Sequence, residues 1–165
     1  MGSGGMDLWA QLEAALWARL EAHADFAALV RPANRLRMGQ GGPRPRISSA
    51  DLPEARLRLE GGPFEAAYSS THSQQEEGIV LELASGDSRA APVQRLREAV
   101  VKALAPAIED RLGLGFIAEI ELTESRQQQA PSREDERRGI GGWVALVRLR
   151  VLMQWPRGQA PGGEG

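Results

Sequence analysis

The chain has 165 residues, 20 basic against 22 acidic side chains for a formal charge of −2, and no cysteine. That length suits one domain burying about 70% of its unfolded surface. Interspersed, nearly balanced charge argues against a protein that works chiefly by neutralising phosphates, and the lack of thiols excludes disulfides, a cysteine nucleophile and thiolate metal ligands. With no apolar run of about 18 residues and no signal-like N-terminal stretch, neither membrane spanning nor secretion by that route is expected.

Met1 to Gly5 (MGSGG) reads as a disordered lead or cloning scar, with Met6 as the natural start. A single domain is expected over 6–156, followed by a loose Gly/Pro-rich tail, 157–165. Leu8, Leu12, Leu16 and Leu20 recur every four residues, which predicts an amphipathic helix from about Asp7 to Ala24 with Asp7 as N-cap. Asp25 is a candidate cap for a short turn, Phe26 to Val30, that Pro32 ends. The stretch Arg35 to Ser49 is rich in Arg, Gly and Pro and reads as an irregular or edge segment. Ala55, Leu57 and Leu59 alternate with Arg56, Arg58 and Glu60, predicting a short strand. Phe64 to Glu77 is polar and is expected as a loop with extended parts, before a strand built on Ile79, Leu81 and Leu83. Pro92 suits the first turn of a second helix whose apolar stripe is Val93, Leu96, Val100 and Leu104, and which Pro106 ends or kinks.

The strongest pattern comes last. In Trp143 to Trp155 every odd position is apolar, while Arg148, Arg150 and Gln154 occupy even ones. Phe116, Ala118, Ile120 and Leu122 alternate with Glu119, Glu121 and Thr123 in the natural partner strand. An antiparallel register placing Glu121 against Arg148 and Glu119 against Arg150 satisfies the apolar face and makes a structural ion-pair ladder. The connection Gln127 to Gly142 is then far longer than an ordinary hairpin loop and reads as an arm that orders against a partner. On the second face of the last strand Val144, Leu146 and Leu152 flank the arginines, a face to be covered either by a helix of the same chain or by a neighbouring subunit. Together with Trp155 and the arm residues Gln127, Gln128, Arg133, Glu134, Asp135, Arg137 and Arg138, they form the candidate subunit and tube interface.

Enzymatic residues are sparse. His72 sits in a Ser/Thr-rich stretch without a strand-to-helix nucleophile elbow, and His23 lies beside a helix stripe. Two histidines without spaced carboxylates make no zinc motif, and the Gly-x-Gly pieces at Gly39 and Gly113 lack the rest of a nucleotide fingerprint. Glu134-Asp135-Glu136 is a solvated charge run rather than a cation site. No catalytic, metal or cofactor site is expected. A nucleic-acid module using Arg35, Arg37, Arg44, Arg46, Arg56 and Arg58 is the rival reading, weakened because no aromatics interleave for base stacking.

The combination Arg31-Pro32-x-Asn34-Arg35, Ser49-Ala50-Asp51-Leu52-Pro53-Glu54, Gly86-Asp87, Thr123-Glu124-Ser125 and Gly141-Gly142-Trp143 resembles the tail-completion proteins of tailed bacteriophages, the tail terminators in particular. The likeness spans about Leu8 to Trp155. The order of the predicted elements gives an α+β fold, with a mostly antiparallel sheet of four to five strands and two main helices on one face, and the tail terminator fold resembles it in that order. The likeness implies a structural virion protein at the head-proximal end of the tail, assembled in the host cytoplasm. There a ring of copies, expected as a hexamer, would cap the tail tube and end its polymerisation. Its partners would be the tube protein and the head–tail connector, with DNA only passing through the lumen and no membrane involved. A head–tail stopper is the alternative within the same class.

Overall fold

The computed structural model describes residues 8–37, 52–60, 66–68, 72–129 and 142–156. Helix α1 (Leu8–Ala22) buries Leu8, Leu12, Leu16 and Leu20 as their spacing requires, with Trp17 beside them. Helix α2 (Ala24–Leu29) follows at once. His23, not Asp25, holds its N-cap position, while Asp25 lies in the first turn, where a carboxylate suits the positive end of the helix dipole. A 3₁₀ turn, Pro32–Asn34, leads into the two-residue strand β1 (Arg35–Leu36). Arg35 fastens this corner. It donates to the Val30 carbonyl at 2.7 and 3.0 Å, pairs with Glu21 at 3.0 Å, and lies 5.6 Å from the centre of the Phe26 ring.

The remaining strands are β2 (Glu54–Leu59), β3 (Ala66–Tyr68), β4 (His72–Ala84), β5 (Ile117–Gln129) and β6 (Trp143–Pro156). They form one mixed sheet in the order β1-β2-β4-β6-β5, with β3 alongside β4. Among the described residues only the β1–β2 pair is parallel. Strand β6 is central: β4 pairs with it from His72 to Ala84 and β5 pairs along its other edge. The polar stretch expected as a loop is therefore partly strand, since β4 begins at His72. Gln74 to Glu77 are extended because the β6 backbone opposite them needs partners, not because their side chains alternate in polarity.

Helix α3 (Ala90–Asp110) continues through Pro106, which does not end it. Proline there removes one helical N–H, but buried Ala103, Leu104 and Ala107 on either side hold the helix against the core. The helix stops at Arg111, whose φ of 54° reverses the chain, and Asp110 ties that end to α1 by pairing with Arg19 at 2.6 Å. One hydrophobic cluster joins α1, α2 and α3 to Ala55, Leu57, Ile79, Leu81 and Leu83 of the sheet and to alternate residues of β5 and β6. This is an α+β domain with its helices on one face.

Asp87 secures the junction between β4, α3 and β6. Its carboxylate accepts from the Arg89 backbone N–H at 2.8 Å and from the Arg89 guanidinium at 3.0 and 3.1 Å, and its carbonyl accepts from the Trp143 N–H at 3.1 Å. The Arg89 side chain and backbone hold the Asp87 carboxyl at about 2, below its ordinary 3.8. A folded value below the unfolded one means that this contribution to stability is complete above 3.8 and is lost as pH falls through about 2. Asp87→Asn is expected to remove that acid-dependent part. Melting temperature should fall less steeply through this pH window for the variant than for the wild type, and parallel curves would refute the assignment.

Candidate functional site on the open face of the sheet

The face of the sheet away from the helices is paved with charge. Along β6, Arg148 and Arg150 project from it between half-buried Leu146 and Leu152. Arg150 is held by three carboxylates: Glu76 of β4, Glu121 at 3.3 Å and Glu119 at 3.5 Å on β5. Arg148 lies between Glu60 at 2.9 Å and Glu124 of β5. Arg126 pairs with Glu124 at 3.3 Å, and Arg56 and Arg58 share Glu82 at 3.2 and 2.6 Å. Burial opposes the charged form at Arg148, yet Glu60 and Glu124 outweigh it and raise its pKa. At Arg150 the hydrogen bond to Glu76 is the largest cause of a raised pKa, with the charges of Glu76, Glu119 and Glu121 adding to it.

The predicted ladder is corrected by two residues. Glu121 faces Arg150, Ile120 faces Val151 and Leu122 faces Leu149, so Glu121 does not meet Arg148. Two irregularities, between Ile117 and Glu119 and between Leu122 and Glu124, leave Ala118 and Thr123 as extra residues in β5 and carry the offset from one residue where Ile117 faces Met153 to two, and then to three where Glu124 faces Arg148. A two-residue slip keeps the apolar face inward. The charges stay matched because the second bulge brings Glu124 opposite Arg148, and because β4 supplies Glu76 as a third carboxylate for Arg150. The ion pair expected between Glu119 and Arg150 is present as a diagonal contact.

The candidate interface residues divide in three. Gln127 and Gln128 belong to β5 rather than to an arm, opposite Ala145 and Val144, so the strand runs to Gln129 and the connection outside the described residues is 130–141. Gln127 lies on the helix side near Ser125, which accepts from Arg97 at 3.2 Å, whereas Gln128 is exposed on the open face. Val144 is only 9% exposed and is packed by Ala84 and Leu52, so the chain itself covers that end of the face. Leu146 and Leu152 remain half-buried there. Arg133, Glu134, Asp135, Arg137 and Arg138 lie outside the described residues, as does the side chain of Trp155.

Gly78 makes one of these contacts possible. A Cβ built on it would lie 2.9 Å from Glu60 Oε2, the carboxylate that crosses β4 to reach Arg148. Alanine at this position gains about 0.4–1 kcal/mol by restricting the unfolded chain, so net stability should change little. The interaction should show instead as coupling. A double-mutant cycle of Gly78→Ala with Glu60→Ala is expected to give about 0.5–1 kcal/mol, and independent effects would rule out the contact.

The rival nucleic-acid surface is largely occupied. Arg35 and Arg37 pair with Glu21, Arg37 lies 5.2 Å from the centre of the Trp17 ring, and Arg56 and Arg58 pair with Glu82; Arg44 and Arg46 lie outside the described residues. His72 is a residue of β4, and His23 caps α2 far from it in sequence. Among the described residues no group of three or more His, Asp or Glu side chains is arranged to hold a metal ion. The helix side has a groove of about 290 Å³ between α2 and α3, floored by Leu29 and Ala99 and edged by Asp25, Arg95, Glu98 and Lys102.

No protein-family model and no curated protein matches the chain. Among solved structures it is similar to a chain of one described as the virion of a native gene transfer agent particle. The TM-score is 0.55 and the identity 18%, with 90% of this chain and 98% of the other covered. At that identity the likeness is one of fold.

Proposed function

We propose that this chain is a structural protein of a tailed phage or phage-derived particle and acts as a tail terminator. In this reading a ring of copies caps the head-proximal end of the tail tube, ends its growth and offers a surface to the head connector. The carrying observation is the fold likeness to a gene transfer agent virion chain, which takes in 98% of that chain and so is not a matter of one shared hairpin. It agrees with the motifs, spread from Arg31 to Trp143, that resemble the terminator family. A ring requires heterologous contacts between copies. The chain offers sheet edges at β1 and β5 and the α2–α3 groove to make them.

The test is particle morphology after removal of this protein. Tails of uncontrolled, excessive length on normal tube protein are expected. Tails of normal length on heads that lose their DNA would assign the chain to the stopper role instead. Deletion of 130–141 alone should leave a folded chain that no longer joins tails, and tails of normal length in that variant would sink the connection's role in assembly.

A further inference from the structure

We propose that the open face of the sheet is the wall of the channel in that ring, shaped to let a polyanion slide past without holding it. The inference rests on the ring reading above.

The first argument is the state of the arginines. Free guanidinium groups on one face would trap phosphates through bidentate bonds and counterion release. Here Arg150 is spent on Glu76, Glu119 and Glu121, Arg148 on Glu60 and Glu124, and Arg56 and Arg58 on Glu82. Counting Arg126 with these, five arginines meet six carboxylates among the described residues, so the face carries a slight acidic excess and each of these arginines already holds a carboxylate.

The second argument excludes a protein neighbour from the same face. Interface cores are depleted of charge, and covering this network would strip water from every ion pair in it. Left wet, the pairs cost nothing further. The helix side differs: its groove has an apolar floor of Leu29 and Ala99, edged by Asp25, Arg95, Glu98 and Lys102. Protein contacts fit there, and the paved face is left for water and passing cargo.

A chain without cysteine permits single-thiol mapping. Leu152→Cys places a thiol on the open face and Glu98→Cys one on the helix side. Purified rings, alone or on tube ends, would be labelled with maleimide gold and imaged. Gold in the central channel for position 152 and at the rim for position 98 is expected. Intact rings with position 152 at the rim, or reactive only in the monomer, would overturn the channel wall and leave the terminator reading standing. Absence of rings under both conditions would bring down both.

A second measurement needs no ring. Glu76→Gln, Glu119→Gln and Glu121→Gln together free Arg150 and turn the face net positive. The triple variant should bind duplex DNA about ten-fold more tightly than wild type at about 50 mM salt, with the gain lost as salt rises. Equal binding by both proteins, or tight binding by the wild type, would overturn the proposal.

Discussion

Gly142→Ala is expected to destabilise the domain by about 3 kcal/mol, lowering its melting temperature by about 6–12 °C. Two effects add. Gly142 has φ of +82°, where an L side chain costs about 1–2 kcal/mol. A Cβ there would also lie 2.0 Å from the Asp87 carbonyl oxygen, which is backbone and cannot swing aside. That oxygen accepts the Trp143 N–H, so relieving the clash breaks the bond that starts β6 against the α3 junction. Gly113 supplies the control. Its φ of +69° is similar, but a Cβ there meets nothing within 4 Å, so Gly113→Ala should cost only the conformational share, about 1 kcal/mol. Urea denaturation of both variants measures the difference. Equal losses would mean that the approach of Asp87 contributes nothing.

Trp17→Ala should cost about 3–5 kcal/mol, the range for deleting a large buried aromatic. Trp17 is fully buried, packs against Phe26 with ring centres 6.3 Å apart and carries Arg37 over its ring, so its loss opens a void where α1, α2 and β1 meet. The variant Trp17→Phe discriminates packing from polarity. The indole N–H of Trp17 is buried without a hydrogen-bond acceptor, so phenylalanine removes an unsatisfied donor while keeping most of the volume. It should cost no more than about 1.5 kcal/mol. A loss for Trp17→Phe close to that for Trp17→Ala would show that the indole makes a bond the geometry does not reveal.

The helices and the apolar faces of the strands were legible because each is a one-dimensional pattern. Leu8 to Leu20, Val93 to Leu104 and the odd positions of Trp143 to Met153 all went where their periods sent them. The register was not legible, because bulges at Ala118 and Thr123 carry no marker: neither is glycine, and both fit the alternation a straight strand would show. The extent of β4 was hidden for a related reason. Gln75 and Glu77 occupy the inward positions of an alternating strand, and only the unpaired backbone of β6 reveals that they must be extended. For the candidate surface, Arg148, Arg150, Glu119 and Glu121 were found from alternation alone. Glu60, Glu76 and Glu124 were missed, since reaching them takes knowledge of a neighbouring strand or a bulge.

The placement of β6 between β4 and β5 bears on how the protein is made. Among the described strands it is the last in the chain, yet it is the one that joins the two halves of the sheet. Until Trp143 to Pro156 emerges, β4 and β5 each present a long unzipped margin to every other nascent chain nearby. Slow translation or a stop codon before residue 143 should therefore yield insoluble product rather than a shorter working domain.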